Sequence, residues 1–380
     1  MVREVDFVDE CYADKDLSLL KKLTLVIPTY NRNYYLSRCL WYHAHFPFGQ
    51  IIVADSSPEE KKVVNRETVA KVREMFGADI LYLEYEPETE KYGGDIYRKW
   101  GDAVMHVDTF YSIITTDKQF LNPLSLVSRI NFLEKNNEYV SAEGVRYWIE
   151  KEKGQYKYLI ARDFNKTPSI IDDSPIDRYI SSDKYDSDGL FMLYISSVHK
   201  KIYKSLLQSD ITDIRFGECY LRRICYIFGK SFMDLSDVSM CRDVIHVNRS
   251  GKINVSESSS QRYLSKGDYK SIGIYDNLYS NYKHAVLQLL SPLLDTNEDY
   301  ELKDLFCENE RKSIYKLVSN NHILHNIWRY TPKYIKRPIR IISGYSDAKY
   351  YVSNIPKEIS IIERIISENE NCHSRDESII

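Results

Sequence analysis

From Leu23 the chain alternates short apolar runs with longer stretches whose apolar residues recur at helical spacing. Leu23–Pro28 is a continuous run of branched residues, which suits a strand covered on both faces. A helix is predicted from Asn33 to His45, ending before Pro47, and a second strand over Gln50–Asp55. Ser56, Ser57 and Pro58 then open a long helix to Met75, stopped by Gly77. A third strand at Asp79–Glu84, a helix from Gly93 and Gly94 to His106, and a fourth strand at Phe110–Thr115 complete the pattern. Strands and helices alternating at this spacing predict right-handed crossovers and an α/β, doubly wound, mostly parallel sheet.

The pattern changes after a helix at Leu124–Asn136. Tyr139–Ile149 and Tyr156–Arg162 alternate about Lys153 and Gly154 and read as a hairpin. Residues 171–188 are acidic with few apolar anchors and read as a mobile loop. Helices are expected at Val198–Gln208 and Glu218–Phe228, the latter stopped by Gly229, and an extended segment at Ser231–Asp243. Beyond residue 256 the chain reads as mostly helical, including Tyr282–Leu294 and Glu308–Leu317. The expected organisation is a sheet domain over 1–255, a helical accessory region over 256–350, and a C-terminal helix with a disordered tail over 351–380.

Composition narrows the class. The 380 residues are 43% hydrophobic and 28% charged, which is globular, and the net charge of -3 gives no general pull toward nucleic acid. Seven cysteines without a CxxC pair argue against a disulfide framework and a structural zinc site. The first residues are acidic without an apolar core, and no run approaches the roughly 18 residues of a membrane span. The expected location is the cytoplasm, with peripheral contact at the inner membrane surface through the basic, aromatic stretch Trp328–Arg340; the same stretch also reads as a helix packed on the sheet domain. The 32 tyrosines suit sugar and base stacking, or reflect compositional bias.

Ligands of doubly wound sheets sit beyond the carboxyl ends of the strands, so the polar residues there are the candidates: Thr29–Arg32, Asp55–Ser57 and Thr116–Lys118. Asp55 is placed to accept from the N–H of a base, or simply to cap the next helix. Asp117 is placed to ligate a divalent metal carrying a diphosphate, or is an ordinary loop carboxylate. Lys118 and Lys99 are cations suited to a departing phosphate, whereas Arg98 reads as part of a solvated helix face. Gly93 and Gly94 would open a helix N-terminus toward an anion. Glu218, at a helix start, is a candidate general base, with Asp186 and Asp188 as rivals. Arg242, His246 and Arg249 form a further basic cluster. No phosphate-binding P-loop, GxSxG, HExxH or GxGxxG occurs, which weighs against kinases, serine hydrolases, zincins and dehydrogenases.

The string Leu25–Arg32 (LVIPTYNR), followed by a helix and Ile51–Ser57 (IIVADSS), resembles the opening of family 2 GT-A glycosyltransferases. The resemblance implies a GT-A-like fold and nucleotide-binding roles for Pro28, Thr29, Tyr30, Arg32, Asp55 and Ser56, with Lys99, Thr116, Asp117 and Lys118 completing the donor site. Its Asp-x-Asp segment corresponds to Thr116–Phe120, where Asp117 is retained and Lys118 and Gln119 stand where further carboxylates are usual. Asp117 would thus be the metal ligand for manganese or magnesium, and the degenerate motif leaves that cofactor open, since Lys118 replaces part of the metal's charge. Gly217 and Glu218, ahead of Leu221–Arg223 and Gly229, resemble the family's catalytic-base helix, and Asp186–Tyr194 its acceptor-side loop.

What the resemblance implies is inverting transfer from a nucleotide sugar to a hydroxyl of a glycan, lipid-linked or protein acceptor in surface glycan or glycolipid synthesis. Glu218 would be the base, with Asp188 beside it; no nucleic-acid partner is expected, and the sequence leaves open whether the protein forms a homo-oligomer. The alternatives are a nucleotidyltransferase, which would need a Gly-rich basic loop where Asn31–Tyr35 stands, and a catalytically decayed GT-A domain that binds nucleotide or glycan without turnover.

Overall fold

A computed structural model of the chain describes residues 11–87, 95–152, 155–160, 168–184, 189–244 and 274–293. Strand β1 (Leu23–Thr29) lies between β2 (Gln50–Asp55) and β4 (Tyr111–Ile114), and β3 (Ile80–Glu84) pairs β2 on its outer side; all three pairings are parallel. These strands carry apolar residues on both faces because helices cover both. Helices α1 (Asn33–His43) and α2 (Glu59–Phe76) pack on Leu25, Ile27, Ile51 and Val53. Helix α3 (Asp95–Met105) packs on Val26, Ile52, Ala54 and Ile114 on the opposite face. The sheet is thus doubly wound, as the spacing predicts. Burying each such branched side chain contributes roughly 1.5–3 kcal/mol.

The chain runs from β1 outward through β2 and β3, then returns to β1's other side as β4. The strand order therefore reverses between β1 and β4. The crevice at that reversal is where open α/β sheets hold ligands.

Beyond β4 the pairing becomes mixed. β4 meets β8 (Leu193–Ile195) antiparallel, and β8 meets β6 (Tyr139–Glu152) antiparallel. β6 carries β7 (Gln155–Ile160) antiparallel, which is the expected hairpin, and runs parallel to β9 (Lys230–Val244). β9 in turn pairs antiparallel with β5 (Gln119–Leu121), the segment just after Asp117. Helix α4 (Pro123–Lys135) starts at Asn122, whose side chain accepts from the Leu124 amide.

Residues 171–188 are not simply a loop. They contain helix α5 (Pro175–Lys184), which buries Ile176 and Tyr179. Its main anchor is polar: the buried Arg178 guanidinium donates to the carbonyls of Asp172, Asp173, Tyr226 and Ile227 at 2.6–3.1 Å. Gly229 ends the segment after helix α7 (Ile214–Ile224) because a side chain there would collide with Val140, 2.4 Å from where its Cβ would lie. Gly77, by contrast, ends α2 in the left-handed conformation at φ 64°, as predicted.

Helix α6 (Ser196–Leu207) joins α3 and α7 in the core on one face of the sheet. Helix α8 (Ile274–Leu290), the described part of the region assigned to an accessory domain, buries Tyr275, Tyr279, Tyr282 and Val286 in that same core. The Tyr282 hydroxyl lies 2.6 Å from that of Tyr179. Many of the tyrosines thus serve as core. No helix among the described residues is long and apolar enough to cross a membrane. Residues Glu308–Leu317, Trp328–Arg340 and the tail lie outside the described residues.

Candidate functional site

The carboxyl ends of β1, β2 and β4 meet at Thr29. Parallel pairing sets Thr29 beside Asp55, and the Thr29 hydroxyl reaches the other way to donate to Asp117 Oδ2 at 2.9 Å. The Thr29 carbonyl accepts from Lys99 Nζ at 3.2 Å and from the Ser56 amide at 3.3 Å. Lys99 Nζ also donates to Ser56 Oγ at 2.7 Å and is almost wholly buried. One threonine thus ties together three strand ends and helix α3, and Lys99, which enters from the face opposite α1, brings a cation into the reversal point.

Just past Thr29 the chain must turn sharply into α1. Asn31 makes that turn at φ 53°, a conformation Asn tolerates better than most residues, and its amide donates to Ser57 Oγ at 2.8 Å. The turn presents Arg32 to Asp117, and its Nη1 lies 3.1 Å from Asp117 Oδ1. Asp117 is 1% exposed and Arg32 26%, so the pair sits at the floor of the crevice with the guanidinium toward solvent. Lys118 points to the same helix: its ammonium lies 4.4 Å from the ring centroid of Tyr35, one turn beyond Arg32. Tyr30 is partly exposed at this rim.

Gln119 occupies a position where the resemblance leads one to expect a carboxylate. Its Oε1 accepts from the Thr116 amide at 2.8 Å and the Thr115 hydroxyl at 3.2 Å, closing the turn that carries Asp117. Its backbone continues into β5, which is fastened to α1 by Tyr42 OH donating to the Leu121 carbonyl at 2.9 Å and by His43 Nε2 accepting from the Leu121 amide at 3.2 Å. Cys39 packs under the same turn. Burial holds its thiol well above the usual range, and the nearby Asp117 carboxylate adds to the shift.

This donor set does not fit the metal-ligand role expected of Asp117. Both of its oxygens are engaged, one by a permanent cation, and the next residue is a lysine. Among the described residues no group of three or more His, Cys, Asp and Glu side chains is arranged to hold a metal ion. The strand ends gather positive charge instead: Arg32 is partly exposed, and Lys99 and Lys118 are buried near the enclosed carboxylates Asp55 and Asp117.

No family model matches the chain, and no curated protein matches it. Among solved structures it is similar to S. aureus TarS 1-349, at 12% identity and a TM-score of 0.44, covering 80% of this chain and 91% of that one. It is similar also to TarS 1-349 in complex with UDP-GlcNAc (12% identity, TM-score 0.40, 80% and 92% covered) and with UDP (11%, 0.37, 80% and 91%). Against the longer TarS structure the chain spans 55% of the length. Likenesses this distant assign neither activity nor residues.

Asp55 is where the sequence puts it but is not a free carboxylate. It is fully buried; Oδ1 accepts from the Ser57 amide at 2.7 Å, and Oδ2 accepts from Asn65 at 2.7 Å and from Tyr82 OH at 2.5 Å. Burial and this bond hold the Tyr82 phenol well above its ordinary range. In this conformation Asp55 braces the strand ends, and a base N–H reaches it only if Tyr82 gives way. Asn65 and Tyr82 were not singled out from the sequence; only their positions, one helical face of α2 and the inward side of β3, hint at the role.

Glu218 does not begin its helix. Asp213 is the N-cap of α7, its Oδ1 accepting from the Arg215 and Phe216 amides at 2.9 and 3.1 Å, so Glu218 lies in the second turn. Its carboxylate is 31% exposed and 3.8 Å from Arg215. Neighbouring Gly217 lies against Tyr97 of α3, whose ring carbon would be 2.9 Å from an added Cβ. Arg98 is not a solvated residue: it donates to the carbonyls of Leu207 and Ser209 at 3.0 Å, tying α3 to the end of α6. Pro28 is buried in β1 beside Ala54. Asp186, Asp188, Gly93, Gly94, His246 and Arg249 lie outside the described residues, as does the side chain of Arg242.

Proposed function

We propose that this protein is a glycosyltransferase that moves a sugar from a nucleotide sugar to an acceptor hydroxyl, with inversion. The observation that carries the proposal is the joining of Thr29, Arg32, Lys99 and Asp117 at the reversal point between β1 and β4. A nucleoside diphosphate needs cations that neutralise its growing charge as it leaves; Arg32, partly exposed, would meet it first, with the more buried Lys118 beside Tyr35 behind it. Pro28, Thr29, Tyr30 and Ser56 would form the wall against the nucleoside, and Asp55 with Tyr82 its far end. Lys99 would order the Thr29 carbonyl rather than touch the donor.

Inversion needs one displacement and one base. Glu218 is assigned that role: it is a partly exposed carboxylate on α7, beside α3, the helix that delivers Lys99. It takes the proton from the acceptor hydroxyl as the oxygen attacks the anomeric carbon and the diphosphate departs from the opposite side. Glu218→Gln should retain donor binding, read as a melting-temperature rise with UDP-, GDP-, dTDP- or CMP-sugars, and lose about 10²–10⁴-fold in transfer. Full turnover in that variant removes Glu218 from the mechanism. Absence of donor binding and of donor hydrolysis in the parent protein removes the function itself.

A further inference from the structure

We propose that this rim binds the donor's diphosphate without a divalent cation, with Asp117 acting as the carboxylate that aims Arg32 instead of as a metal ligand. The proposal rests on the nucleotide-sugar function above and adds the source of the charge. A hard cation seeks free carboxylate oxygens. Here Asp117 Oδ2 already accepts from Thr29 and Oδ1 is paired with Arg32 at 3.1 Å, in a carboxylate only 1% exposed. To ligate a metal, Asp117 would have to release the Arg32 guanidinium, beside the ammonium of Lys118.

The cations, in contrast, are arranged for phosphate. Arg32 is the residue from which α1 starts, and the ammonium of Lys118, the residue after Asp117, rests 4.4 Å from the centroid of Tyr35 in the first turn of that helix. Arg38, one turn further, is fully buried and stacks over Tyr34 and Tyr35 at 4.9 and 5.9 Å from their centroids, so it braces the rings against which Lys118 rests and does not itself face the crevice. The Arg32 guanidinium keeps donors beyond the one used on Asp117, and its planar fork suits phosphate oxygens. Asp117 thereby fixes the arginine and remains buried behind it when phosphate arrives.

The test is calorimetric titration of the full chain with UDP, GDP and dTDP, once in EDTA and once in excess Mn2+, alongside electron paramagnetic resonance of Mn2+ added to protein with and without nucleotide. Expected are the same affinity in both buffers, and no protein-bound Mn2+ signal beyond that of the nucleotide alone. Arg32→Gln and Lys118→Gln should each weaken binding in EDTA by about tenfold or more, and Arg32→Lys by less. Folding of each variant is checked by its melting curve, and Lys118→Gln, which leaves the Asp117 pair intact, stands if Arg32→Gln does not fold. Binding that appears only with Mn2+ overturns the metal-free site while leaving the glycosyltransferase assignment in place. No binding of any nucleotide in either buffer overturns both.

Discussion

Acidification should destabilise this fold through two buried histidines, and the loss can be worked out in advance. His43 is fully buried in α1 and bonded at both nitrogens: one ring nitrogen donates to the Cys39 carbonyl at 2.8 Å and the other accepts from the Leu121 amide at 3.2 Å. Only the neutral ring can do both, because protonating Nε2 would set N–H against N–H. Burial pushes its pKa down to about 4, partly offset by the Cys39 carbonyl. His199 sits between Tyr194 and Tyr203, 2.8 Å from the Ser112 hydroxyl, and burial pushes its pKa down to about 3.

In the unfolded chain both titrate near 6.5, so below that pH the unfolded state binds protons that the folded state refuses. Stability is therefore full above about pH 6.5 and falls as pH drops toward the folded values. Between about pH 7 and pH 5 each histidine should remove about 2 kcal/mol, or about 4 kcal/mol together. That is a large part of the roughly 5–15 kcal/mol typical of a domain. Urea unfolding followed by circular dichroism at stepped pH measures it directly, and the slope near pH 5 should correspond to uptake of about two protons on unfolding. Stability that stays level down to about pH 5, or imidazole proton resonances that shift with an ordinary pKa in the folded protein, would refute the argument.

Two other perturbations have clear signs. Arg178→Ala removes the donor from four carbonyls, those of Tyr226 and Ile227 buried, and should cost about 3 kcal/mol or more in urea unfolding; a loss of a few tenths would show that α5 is anchored otherwise. Asn31→Gly should be nearly neutral for stability, whereas Asn31→Val, forcing a β-branched residue to φ 53°, should cost about 1–3 kcal/mol; equal melting temperatures would refute a strained turn there.

The first half of the fold was legible because its signals are local. Strands buried on both faces read as unbroken apolar runs, and β2 runs from Gln50 to Asp55 as the sequence indicates. Strands β5 and β8, three residues each, are too short to carry a period, and they bring in the antiparallel pairing. Helix α5 has the sequence signature of a loop because a guanidinium holds it where an apolar stripe would be looked for. Helix α7 begins earlier than its sequence signal at Glu218 because its cap, Asp213, sits in a polar stretch that resembles a loop. At the site, the strand-end residues stood out one by one. Their partnerships did not: Arg32 and Asp117 are 85 residues apart, and whether they meet depends on how Asn31 turns the chain. Nor could the sequence reveal that Asp55 spends its oxygens on Asn65 and Tyr82.

A crystal structure with a bound nucleoside diphosphate, chosen as the one among UDP, GDP and dTDP that raises the melting temperature most, addresses the central claim most directly. The diphosphate should lie at the carboxyl ends of β1 and β4, within hydrogen-bonding distance of Arg32 and Lys118, with Asp117 still paired behind it. A nucleotide bound elsewhere on the molecule, out of reach of both cations, would contradict the account.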